Sequence, residues 1–234
     1  MSSVTPISSV SSNVRQRVTP QEWEVRVKLA AAYRLAALYK WTDHIYTHFS
    51  ARVPGPEAHF LINAFGLLFD EISASNLVKV DLDGTIVDDP TGLGINYAGY
   101  VIHSAIHGAR HDLQAVLHTH TRDGIAVSAQ KQGLLPISQH AIAFSGRVAY
   151  HGLLTGGVSV EHAFQQLQSL ERACNIQIAA QAAGNAELIF PPAEVVAKVE
   201  QQAKVFSNGE GPGVARHWNA LVRQLERTDT DYKN

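Results

Sequence analysis

Between Ile45 and Val87 the chain reverses at turn spacing, and no other feature narrows its possible folds as far. Pro54-Gly55-Pro56 separates a strand-like run over Ile45 to Arg52 from a second over His59 to Ile62. Asp81-Leu82-Asp83-Gly84 turns Leu77 to Val80 back towards Thr85-Ile86-Val87. Strands joined by so few residues pair antiparallel, because a parallel return needs a crossover of a dozen residues or more. Helical patterns surround them. Thr19-Pro20-Gln21-Glu22 offers an N-cap, a proline at the first helical position and a capping-box glutamate, and Val25, Leu29, Tyr33 and Ala36 follow at helical spacing, so a helix is predicted to about Lys40. Asn96 caps a second helix, with Ala98, Ile102, Ala105 and Ala109 as its apolar stripe.

Further on, Ala115 to Thr119 reads as strand, Asp123 to Gln130 as helix stopped at Gly133, Ile142 to Tyr150 as strand and Gly152 to Gly157 as turn. Ser159 caps a long helix that carries Ala163, Leu167, Leu170, Cys174 and Ile178 on one face and ends at Gly184. One last helix begins after Pro191-Pro192, and another spans Trp218 to Leu225. The alternation predicts an α/β fold with a mixed, largely antiparallel sheet covered on both faces.

The 234 residues suit one large domain, read as 19–234 after an N-terminal tail over 1–18. That tail is Ser/Val-rich and lacks acids. Arg15 and Arg17 lend it the flavour of a transit peptide, but arginine is sparse and Pro6 interrupts any helix, so a disordered tail is the preferred reading. Formal net charge is −2, which gives no ground for a nucleic-acid or anionic-membrane partner. No apolar run approaches the roughly 20 residues of a membrane helix. A single cysteine, Cys174, rules out an intrachain disulfide and favours a reducing, cytoplasmic compartment.

The chain has 12 histidines, and position must decide which of them matter. In Val116-Leu117-His118-Thr119-His120, residues two apart share one face of a strand, so His118 and His120 present adjacent imidazoles at a strand end. Such a pair suits zinc or another borderline divalent ion. From spacing alone it reads equally well as two half-exposed histidines at a strand terminus. A metal needs a third ligand: His151, amid glycines, ranks first, and His140, in a turn after Pro136, second. His103 and His107 share a helix face, and His103 is a candidate to orient a ligand by hydrogen bonding. No nucleophile elbow, P-loop or dinucleotide-binding glycine motif is present.

The stretch from Asn96 to Leu135, with AGYVIHSAIHGARHDLQAVLHTHT and AVSAQKQGLLPIS, resembles the class II aldolase/adducin family, closest to its adducin-like branch. Flanking segments IYTHFSARVPGPEAHFLINAFGLLFDEISASNLVKVDLDG and GLLTGGVSVEHAFQQLQSLERACNIQIAAQA extend the likeness over most of Trp41 to Ala183. The resemblance implies a three-layer α/β/α domain, homotetrameric assembly, a zinc ion on His118 and His120 with His151 in the third position, and a small-molecule substrate. Three departures stand out. The family's catalytic glutamate, four residues before His103, is Gly99, which can neither move a proton nor bind a metal. Thr47 and Phe65 stand at phosphate-loop positions, and Phe65 cannot donate to a phosphate, so a non-phosphorylated substrate is expected. Two segments that the family keeps apart are fused through His151, so the third ligand is either His151 or a residue of a stretch this sequence lacks. Two functions stay open: a metal-dependent lyase acting on a small hydroxy-carbonyl compound, or a catalytically inactive adducin-like module for oligomerisation or interaction.

Overall fold

A computed structural model describes residues 11–144, 153–182, 184, 187–206 and 212–234. Helix α1 (Ser11–Arg17) corrects part of the expected disordered tail: Val14 is fully buried and Arg17 Nη1 pairs with Asp88 Oδ1 at 3.0 Å. These anchors depend on residues far along the chain and are invisible in the tail's own composition. Helix α2 (Pro20–Leu38) starts as expected, with the Thr19 hydroxyl accepting from the Glu22 amide at 3.1 Å. Four short strands follow: β1 (His48–Arg52), β2 (Phe60–Ile62), β3 (Val78–Val80) and β4 (Ile86–Asp88). Next come α3 (Tyr97–Ala109), β5 (Ala115–Thr119), α4 (Arg122–Ser128), α5 (Gln139–Ile142) and β6 (Leu153–Gly157). Helices α6 (Val160–Gln181), α7 (Ala193–Phe206) and α8 (Pro212–Leu225) complete the described elements.

The strands form one sheet in the order β4-β3-β2-β1-β5-β6, and every neighbouring pair is antiparallel. Two local expectations change. Ile142 closes the short helix α5 rather than opening a strand, and residues 145–150 of that expected strand lie outside the described residues. The glycine-rich run after Gly152 is a strand whose Leu153 to Gly157 pair with Thr119 to Ala115; glycine at 156 and 157 lets Leu113 and the start of α6 approach closely.

The pairing of β1 with β5 sorts side chains by face. His48 lies opposite His118 and Phe49 opposite Leu117, so each strand shows histidine to one side and apolar residues to the other. On the apolar side Phe49 stacks on Tyr33 of α2, ring centroids 4.8 Å apart, and the Tyr33 hydroxyl donates to the Phe49 carbonyl at 2.6 Å. Helices α2, α6 and α8 build the main core there, with Leu29, Leu35, Phe164, Leu167 and Trp218 among its residues. A buried ion network ties α2 to the β3 edge. Glu22 receives Arg26 Nε at 2.9 Å and Lys79 Nζ at 2.8 Å, and Arg26 also donates to the Leu77 carbonyl at 2.9 Å. The opposite side is covered by α3, giving three layers.

Candidate metal centre

Helix α3 does not face the sheet with its expected apolar stripe. Its buried residues are Gly99, Tyr100, His103 and His107, while Ala98, Ala105 and Ala109 are exposed. The imidazoles turn inward because β1 offers them a hydroxyl: Ser50 Oγ lies 2.6 Å from His103 Nδ1 and 2.8 Å from His107 Nε2. One hydroxyl can donate to one ring and accept from the other, so this bridge fixes both tautomers together. Burial lowers the His103 pKa well below the usual histidine value, helped by the neighbouring His48, His107 and His118. Burial and Arg52 push His107 down to about 3. Both rings are therefore neutral at pH 7.

His118 and His120 do stand together at the end of β5, ring centroids 4.7 Å apart and nearly perpendicular at 83°. His118 is buried and His120 partly exposed. His120 Nδ1 lies 2.9 Å from Asp43 Oδ2, in the loop that leads from α2 to β1. A carboxylate on one ring nitrogen selects the tautomer that leaves Nε2 as a lone-pair donor, the arrangement common behind metal-binding histidines. Asp43 escapes sequence reasoning because 77 positions separate it from His120.

His48 was also missed, although its place opposite His118 follows once the β1–β5 register is known. It is 3% exposed, and neither ring nitrogen has a hydrogen-bond partner among the described residues. Its ring lies against position 99: a Cβ built on Gly99 would come within 2.3 to 2.5 Å of three His48 ring atoms. The volume expected for a side chain at 99 is thus filled by His48. Burial, with a smaller contribution from His120, takes the His48 pKa down to about 4.

The chemistry of the pair suits a borderline divalent ion: two adjacent imidazoles, one of them held by a carboxylate. Among the described residues no group of three histidine, cysteine or acidic side chains is arranged to hold a metal. His151 lies outside the described residues. His140 sits on α5, where Arg172 of α6 is its charged neighbour, and does not join the pair. Thr47 is fully buried with no partner for its hydroxyl among the described residues, and Phe65 is 37% exposed.

The three-layer domain with its antiparallel sheet has the fold of solved proteins of the class II aldolase superfamily. The class II aldolase and adducin N-terminal domain matches residues 27–150, and this chain belongs to that family. A crystal structure of an aldolase II superfamily protein from Pseudomonas syringae superposes with a TM-score of 0.91 at 74% identity, covering 95% of this chain and 100% of that one. A Pseudomonas aeruginosa protein whose name places it among the class 2 aldolases is 43% identical over 98% of this chain and its own full length. That alignment spans 262 positions against the 234 residues here, so the relative carries residues with no counterpart in this chain. Alpha-adducin of Rattus norvegicus is 39% identical over 95% of this chain, which spans 36% of the adducin.

Proposed function

We propose that this protein binds a divalent metal, zinc by ligand type, on His118 and His120, and acts as a lyase on a small, non-phosphorylated hydroxy-carbonyl compound. The perpendicular His118–His120 pair with Asp43 behind it carries this reading. The third ligand is His151 or lies in a segment absent from this sequence. A bound divalent ion would supply Lewis acidity, stabilising negative charge on a carbonyl oxygen as a neighbouring carbon–carbon bond breaks. The chain's own part is to position: Asp43 holds His120, the Ser50 bridge fixes the His103 ring, and burial keeps that ring neutral. With glycine at 99, a water or another group must carry the proton. Phe65, unable to donate to phosphate, supports a substrate without one.

The reading includes a homotetramer in the cytoplasm. Tyr97, Val101 and Leu93 lie in and just before α3, exposed at 66%, 50% and 49%, and leave apolar surface for a second copy to cover. Among the described residues no helix is long and apolar enough to cross a membrane.

A second reading is favoured by one observation, the occupation of the position-99 space by His48: a catalytically inactive adducin-like domain that keeps the fold and serves oligomerisation or interaction. Metal analysis of purified protein followed by a retro-aldol screen separates the two. Zinc near one equivalent per chain, lost in His118→Ala, together with cleavage of a hydroxy-carbonyl compound, is the expected result. Bound zinc without turnover transfers the case to the second reading, and zinc unchanged in His118→Ala sinks the site itself.

A further inference from the structure

The alternation that presents His118 and His120 to one face of β5 turns Thr119 and Thr121 the other way. Both threonines reach the same carboxylate. Glu171, on α6, is 2% exposed, and its Oε1 accepts from Thr121 Oγ1 at 2.7 Å and from Thr119 Oγ1 at 3.4 Å. Two details mark this contact as built. Thr121 occupies the N-cap position of α4, where a threonine hydroxyl ordinarily accepts from the first-turn amides, yet it makes no capping bond and points to Glu171 instead. Gly124, three positions further on in the first turn of α4, leaves the room: a Cβ there would meet Thr121 Oγ1 at 2.7 Å.

A carboxylate in this place is costly. Burial pushes the Glu171 carboxyl up to about 7, against the pull of the two hydroxyls and with Asp123 adding to the rise. The cost falls at the threonine between the two histidines and the one that follows them, on the side away from the imidazoles.

We infer that Glu171 is a positioning residue for the His118–His120 pair, holding the strand end from behind through Thr119 and Thr121 and so fixing how far apart the two imidazoles stand. This rests on the reading of the pair as metal ligands. Asp43 orients one ring; Glu171 holds the backbone that carries both. Hydrogen-bonded groups outside the ligands commonly change metal affinity tenfold or more when removed.

The test compares Glu171→Ala, Glu171→Gln and Leu167→Ala, the last truncating a fully buried α6 residue of the core. Cobalt(II) binding is followed by visible absorption, and the ring signals of His118 and His120 are followed by NMR in metal-free protein. Glu171→Ala is expected to weaken cobalt binding about tenfold or more and to shift both ring signals. Glu171→Gln, whose amide oxygen can accept from the same hydroxyls, is expected to restore both. Leu167→Ala is expected to lower the unfolding midpoint while leaving cobalt affinity and ring signals in place. Wild-type affinity and unmoved signals in Glu171→Ala overturn the inference, as does an equal change in Leu167→Ala. A wild-type protein that binds no cobalt removes the metal reading, and the metal-free ring signals then decide the role of Glu171 by themselves.

Discussion

At the residue scale, Gly99 and His48 act as one feature. Gly99 lies in the first turn of α3, and replacing a glycine inside a helix with alanine ordinarily stabilises by up to about 0.5–1 kcal/mol. Here the new Cβ would press on the His48 ring at 2.3 Å, and overpacking of that kind costs about 1–3 kcal/mol. The clash should win, so Gly99→Ala is expected to lower stability in urea unfolding. In a His48→Ala background the same change should raise it, and a cycle without this reversal of sign would falsify the packing account. The sequence marked position 99 as the place of a missing glutamate, but showed nothing of its filling. His48 is 51 positions away, and only the β1–β5 register sets its ring over α3. The adjacency of His118 and His120 was legible for the opposite reason: two residues two apart at a strand end carry their relative geometry in their spacing. Asp43 and Glu171 come from other elements and left no local signal.

At the scale of elements, the helices were the readable part, since Thr19, Asn96 and Ser159 each cap a helix through the side chain. The faces were less so. For α3 the periodicity points to an apolar stripe as the buried face, whereas the Ser50 hydroxyl draws the histidines inward; periodicity identifies faces and cannot tell which has a polar partner waiting. The run after Gly152 was misread because glycine suggests a turn until close packing explains it. The buried α3 face makes stability pH-dependent. His103 and His107 stay neutral when folded but protonate near pH 6.5 when unfolded, so the unfolded state binds more protons as pH falls. Their contribution is complete above about pH 6.5 and is lost as pH drops towards the folded value of about 3 for His107, at up to about 1.4 kcal/mol per pH unit per group. Urea midpoints of metal-free protein should therefore fall between pH 7.5 and 5, and a flat profile would mean that the rings are hydrated. On α2, Glu22→Ala leaves Arg26 fully buried without its carboxylate, with an expected loss of about 3–5 kcal/mol. Glu22→Gln, which keeps a hydrogen-bond acceptor, should lose less in the same denaturation experiment.

For the whole molecule, the outer face of α3 is where assembly is expected. Lysine at both Tyr97 and Val101 places charge on that apolar surface and should shift light-scattering mass towards the monomer, with far-UV circular dichroism unchanged. An unaltered mass would move the interface elsewhere. The two-faced pairing of β1 with β5 has a wider consequence. Phe49 and Leu117, which seal the core, alternate with His48 and His118, which face α3. A slip of one residue between the strands would carry the histidines into the core and the apolar residues out of it. Any selection for a well-folded chain thus also keeps the imidazoles aligned, whether or not chemistry is still demanded of them. Descendants of one fold can shed an activity and still carry its paired histidines in register, as a by-product of remaining folded.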